Sequence, residues 1–80
     1  MEEIKEKKRI EVDIDNLKES IEELNNIKLN EKENEILEKI KTYLEDCEYY
    51  LKKNDLFTSF GCITYAHGLI DAIKINRSLI

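Results

Sequence analysis

Hydrophobic residues recur along the chain in three segments, each with the spacing of a helix. In the first segment they follow one another at intervals of four, three, four and three residues: Ile10, Ile14, Leu17, Ile21 and Leu24. This spacing lines one face of an α-helix with apolar side chains. We therefore expect a first helix over about residues 8–27. Residues 1–7 are expected to fray, because Ile4 lies off the stripe and lysines there oppose the helix dipole.

The second segment has the strongest periodicity and predicts a helix over about residues 31–53. Asn30 and Glu33 have the spacing of a helix-capping pair. Asn54 tolerates the left-handed conformation of a helix terminus, and Asp55 can cap the helix that follows. The apolar positions lie on two adjacent lines: Ile36, Ile40, Tyr43, Cys47 and Tyr50, with Leu37, Leu44 and Leu51 beside them.

The third segment, about residues 56–76, is apolar around most of its circumference, and such a helix is usually covered on more than one side. We expect the first two helices to cover two sides and a second copy of the protein to cover a third. The predicted fold is all-α, a single three-helix domain over residues 1–80, arranged up and down with a tightly packed C-terminal hairpin. A reversal at Asn54 and Asp55 would place Cys47 level with Cys62 and Tyr43 level with Ala66.

Composition narrows the classes of partner. The chain has 18 acidic and 13 basic residues, a formal charge of −5, which repels nucleic-acid phosphates and anionic lipids. We expect no nucleic acid partner.

No uninterrupted apolar run approaches the ~20 residues that span a bilayer, and Glu2 and Glu3 stand where a signal sequence would be basic. We therefore expect a cytoplasmic protein with no membrane partner.

The sequence predicts neither a metal site nor a cofactor site. The chain has two cysteines and one histidine, which are too few and too dispersed for a zinc site. Cys47 and Cys62 could bond if they lie at equal height, but a cytoplasmic chain favours reduced thiols packed in the core. No catalytic residues are expected, since the carboxylates form no recognisable acid and base pair.

Part of the chain resembles a known family. The segments that carry the resemblance are Tyr43-Leu44-Glu45-Asp46, Tyr50-Leu51, Lys53-Asn54-Asp55 and the run from Tyr65 to Ala72, read as Tyr-Ala-x-Gly-x-x-Asp-Ala. They are similar to the archaeal family called domain of unknown function 357. The resemblance covers about the second half of the chain and implies a small three-helix bundle without an assigned activity.

One polar stripe runs along the otherwise apolar third helix, formed by Thr64, His67, Asp71 and Lys74. Spacings of three, four and three residues make these side chains neighbours. They could form a ligand site, with Asp71 orienting His67 as a base or ligand. The alternative, which we favour, is a structural hydrogen-bonding pair or the solvent strip of the helix.

Gly61, Gly68 and Ala72 form a smooth ridge on the same helix. Each glycine costs ~1 kcal/mol relative to alanine in a helix, which suggests that something approaches the ridge closely. Helix 1 is the favoured candidate, ahead of a partner chain or a small ligand.

The sequence leads to two hypotheses for the function. The first is a helical protein interaction or self-association module, and the alternative is a small-ligand or nucleotide-binding accessory domain that uses the polar stripe. We expect no enzymatic activity.

Overall fold

A computed structural model describes residues 2–80, with side chains from Ile4 onward. It contains three helices, α1 (Glu2–Asn25), α2 (Glu31–Lys52) and α3 (Leu56–Asn76), and no strand among the described residues. The molecule is elongated, with extents of 42 × 20 × 16 Å. The predicted all-α fold of three helices is confirmed.

The ends of α2 and α3 follow the predicted capping residues. The Asn30 side chain accepts a hydrogen bond from the Glu33 backbone N–H (2.8 Å), and Glu33 accepts one from the Asn30 N–H (2.9 Å). Asn54 ends the hairpin turn with a φ of 62°, in the left-handed region that asparagine tolerates. The Asp55 side chain then accepts from the Thr58 N–H (3.2 Å) and caps α3. Local side-chain chemistry therefore sets both boundaries of the turn.

The first helix begins earlier than predicted. It starts at Glu2, six residues before position 8, and ends at Asn25. Glutamate, lysine and arginine are good helix formers, and they fill all of positions 5–9. Ile4 is exposed, in agreement with its position off the stripe. Fraying of the first turns stays a prediction, and Met1 lies outside the described residues.

The core is one continuous cluster in which the three helices contribute buried apolar side chains. All five residues of the α1 stripe are buried, as predicted. The buried line of α2 is formed by Leu37, Ile40, Leu44 and Cys47. Tyr43 and Tyr50 beside it are half-buried. The contribution of α3 is Ile63, Ala66, Ile70 and Ile73.

The side chains that meet across the hairpin differ from the predicted pairs. Cys47 lies opposite Ser59, one turn short of Cys62, with the Cys47 sulfur 3.2 Å from the Ser59 hydroxyl oxygen. Tyr43 packs its ring edge against Tyr65, with centroids 4.7 Å apart. The predicted pairs were matched only by their height along the helix axes. The rotation of α3 about its own axis decides which of its side chains face α2.

Two neighbours cover α3, as expected. It packs most extensively against α2 and less against α1, while α1 and α2 contact each other least. The side of α3 that faces away from both helices is not covered by any of the described residues.

Candidate functional site

The uncovered side of α3 is rich in apolar side chains. Phe57 is 92% exposed, Ile75 64% and Tyr65 53%. Since large apolar residues concentrated on one face indicate an interaction surface, this side is the first candidate site. We call it the outer face of α3, and its exposed residues are Phe57, Phe60, Gly61, Thr64, Tyr65, Gly68, Asp71, Ala72 and Ile75.

The small residues of this face are not covered by α1. A Cβ atom added at Gly61 or Gly68 would meet no atom within 4 Å outside its own helix and chain neighbours. Ala72 is also exposed. The expectation that α1 packs on this ridge is therefore wrong. The physical reason is that the larger residues Ser59, Ile63, Ala66 and Ile70 occupy the core side of α3 and turn the glycines outward.

The structure divides the predicted polar stripe between two environments. Lys74 is buried, and its Nζ donates to the Ser20 hydroxyl (3.0 Å) and the Glu23 carboxylate (3.2 Å) on α1. Because a buried ammonium is costly unless it is hydrogen-bonded, these contacts give Lys74 a structural role. Thr64 and Asp71, by contrast, are exposed.

His67 also contacts α1. It is half-buried, and its Nε2 lies 2.9 Å from the backbone carbonyl oxygen of Asp13. A carbonyl can only accept, so Nε2 carries the proton and donates it. In the neutral ring this leaves Nδ1 as the acceptor. The predicted orientation of His67 by Asp71 is replaced here by a contact to the backbone of α1.

A shallow depression of about 370 Å³ follows the seam between α1 and α3. It brings together three of the four predicted stripe residues and excludes Lys74. The Arg9 guanidinium lies over the Phe60 ring, 5.8 Å from its centroid. Among the described side chains, neither Arg9 nor Asp71 forms an ion pair. The depression is lined by Arg9, Asp13, Phe60, Thr64, His67 and Asp71.

An ion pair at the other end of the bundle was not found by sequence reasoning. Arg77 Nε donates to a Glu33 carboxylate oxygen (2.7 Å), and its Nη2 contacts the other oxygen and the Lys28 carbonyl. The hydrogen bond from Arg77, followed by that from the Asn30 backbone, lowers the pKa of Glu33 from 4.5 to about 2. The same carboxylate raises the pKa of Arg77. The pair ties the end of α3 to the start of α2.

The two cysteines are free thiols, with Cys47 buried and Cys62 half-buried. Burial raises the pKa of Cys47 and of Cys62 above the usual value, which disfavours the reactive thiolate at neutral pH. No group of three or more His, Cys, Asp or Glu side chains suited to a metal ion occurs within the described part of the chain.

The arrangement defines a class of protein: a small three-helix bundle with an apolar outer face. The model of the family called protein of unknown function (DUF357) matches residues 13–79. The chain belongs to this family, as the resemblance implied. No curated protein gives a significant match.

One further property of α3 concerns membranes. Among the described residues, α3 is long and apolar enough to cross a bilayer, by length and composition alone. Its core side is already covered by α1 and α2, so the same composition also suits a helix that buries one side and exposes an apolar face.

Proposed function

We propose that the protein is a helical interaction module that associates with protein through the outer face of α3. The observation that carries this proposal is the exposure of Phe57, Tyr65 and Ile75 along one helix. Burying a single large apolar side chain is worth about 1.5–3 kcal/mol. Covering three such side chains therefore favours association. The proposed function is to form the protein assembly that this contact holds together.

The glycines support the same proposal. Gly61 and Gly68 weaken an isolated helix, and no contact with the described part of the chain accounts for them. Small residues let a neighbouring backbone approach a helix closely. A partner helix lying on the outer face would use the space above both glycines.

Sedimentation equilibrium of the full chain tests the proposal, over about 10 µM to about 1 mM, where weak interfaces dissociate. The expected result is an average mass that rises with concentration. Gly68→Arg should abolish this rise, because a long charged side chain would occupy the face. This variant should fold, since arginine has a higher helix propensity than glycine and the site is open.

Thr42→Arg is the matched control. Thr42 is exposed on α2, and its hydroxyl bonds only to the Glu38 carbonyl of its own helix. Both substitutions add one positive charge to an exposed helical position, so only the surface differs. Equal association of the two variants would contradict the proposal. A chain that stays monomeric at every concentration and binds no purified partner would also contradict the proposal.

A second candidate function is small-ligand or nucleotide binding in the depression between α1 and α3. It is favoured by the meeting of Arg9, Thr64, His67 and Asp71 around one open space, where a cation and hydrogen-bonding groups could contact a phosphate or ribose. Thermal shift in the presence of ATP, GTP and Mg²⁺ tests it. Absence of stabilisation, or binding unchanged in Thr64→Val and Asp71→Asn variants, would refute it.

A further inference from the structure

The outer face of α3 can be paired with itself when one copy is reversed. Phe57 lies at one end of this face and Ile75 at the other, with Gly61 and Gly68 between them. A reversed second helix centred at position 66 brings Phe57 of each copy level with Ile75 of the other. The same alignment brings Phe60 level with Ala72 and Tyr65 within one residue of Gly68.

Arg9 and Asp71, which form no ion pair with the other described side chains, indicate nearly the same centre of symmetry. Arg9 lies over Phe60, and Asp71 is eleven residues further along α3, a distance of about 16 Å along the axis. Both line the seam with α1. A two-fold axis perpendicular to the helix axes relates the two copies of such a reversed pair. Under this symmetry the α1 side of one outer face lies against the α1 side of the other. The midpoint between Phe60 and Asp71 falls between positions 65 and 66, so Arg9 of each copy comes level with Asp71 of the other.

A parallel pair lacks this charge complementarity. It would set Phe57 level with Phe57 and Asp71 level with Asp71, and Arg9 would approach no acid on the outer face. Opposite charges placed level across an interface fix its register and orientation. The distribution of charge therefore favours the reversed arrangement.

From these observations, and resting on the proposed function, we propose that the partner is a second copy of this chain. It lies antiparallel on the outer face of α3, with reciprocal Arg9 and Asp71 ion pairs at its two ends. The contact is isologous, as in most homodimers. Between Phe57 and Ile75 the face is about 27 Å long and one helix, about 10 Å, wide. A footprint on the order of 300 Å² per copy is below the ~800 Å² of a standard interface, so the dimer is weak and forms at high concentration.

A charge exchange tests the orientation. Arg9→Glu and Asp71→Lys should each raise the dimer dissociation constant about three- to tenfold at low salt, because exposed ion pairs are weak and screened. The double variant should return it to within about twofold of wild type. Both residues are exposed, and thermal melts at low concentration check that each variant folds.

Cysteine pairing provides a second readout, in a Cys62→Ser background that leaves the buried Cys47. Thr64→Cys and Gly68→Cys are placed on separate chains, since positions 64 and 68 flank the proposed axis. The mixture should form disulfide-linked heterodimers more readily than either chain alone. A higher yield from one chain alone would indicate a parallel pair and overturn the proposal.

The outcomes separate the two proposals. Association that resists the charge exchange refutes the antiparallel arrangement but leaves the interaction module standing. A monomer that sediments with phosphatidylcholine and phosphatidylserine vesicles through the outer face overturns both in favour of a lipid surface. Binding only to a purified unlike protein refutes the second copy alone.

Discussion

Arg77 and Glu33 join the last turn of α3 to the first turn of α2, with Arg77 Nε 2.7 Å from the Glu33 carboxylate. Glu33 also closes the capping box with Asn30. One carboxylate therefore fixes the start of one helix and the position of another. This contact makes the stability of the bundle dependent on pH.

The pH dependence has a definite sign. The pKa of Glu33 is lowered from 4.5 to about 2 in the folded chain, so its contribution is fully present above pH 4.5 and is lost as the pH falls towards 2. We expect Glu33→Gln to be less stable than wild type at pH 7. The gap should close between pH 5 and pH 2, as measured by urea unfolding at each pH.

Glu31→Gln is the control for this prediction. Glu31 lies in the same first turn of α2 but is exposed. Its substitution should change stability little at any pH. A gap between Glu33→Gln and wild type that stays constant from pH 7 to pH 2 would show that the carboxylate charge does not matter.

A second prediction concerns the tautomer of His67. Because Nε2 donates to the Asp13 carbonyl, the neutral ring should be protonated at Nε2 and not at Nδ1. Long-range ¹H–¹⁵N correlation spectra of the neutral ring should show this tautomer. Equal populations of the two tautomers would mean that the contact to α1 does not persist in solution.

The fold was predictable because its determinants are local. The α1 stripe, the capping pair of Asn30 and Glu33, and the turn at Asn54 each lie within a few residues of the boundary or face that they specify. Periodicity and capping chemistry therefore predicted the three helices. The start of α1 was missed, because its first turns are helical without contributing to the apolar stripe.

The candidate site was only partly predictable. Spacing placed Thr64, His67 and Asp71 near one another, and the structure sets them around one depression. The contacts of His67 with Asp13 and of Arg77 with Glu33 join residues 54 and 44 positions apart. They depend on how far each helix slides and rotates against its neighbours, which the periodicity of a single helix does not specify.

A third prediction concerns the thiols. Cys47 is fully buried and Cys62 half-buried, and burial raises the pKa of both. At pH 7 a thiol reagent such as DTNB should label Cys62 slowly and Cys47 only when the chain unfolds. The Cys62→Ser variant isolates the second reaction. Rapid labelling of Cys47 in that variant under native conditions would refute the packing of Cys47 against Ser59.

The last prediction concerns the glycines of the outer face. Gly61→Ala and Gly68→Ala should each stabilise the monomer by about 0.5–1 kcal/mol, because alanine is the better helix former and the added Cβ meets open space. Urea unfolding at low micromolar concentration, where a weak dimer is dissociated, measures this effect. Thr64→Ala, at an exposed position of the same helix, is the reference variant. It measures how much helix propensity alone raises the free energy of unfolding.

The same variants separate the monomer from the assembly. At high concentration the methyl group of Gly68→Ala would enter the space that a second helix uses, so its dimer should be weaker even as its monomer is more stable. Opposite signs for folding and association would mean that the glycines serve the contact between chains. Destabilisation of the monomer by either alanine would instead mean that a segment of the same chain packs on the ridge.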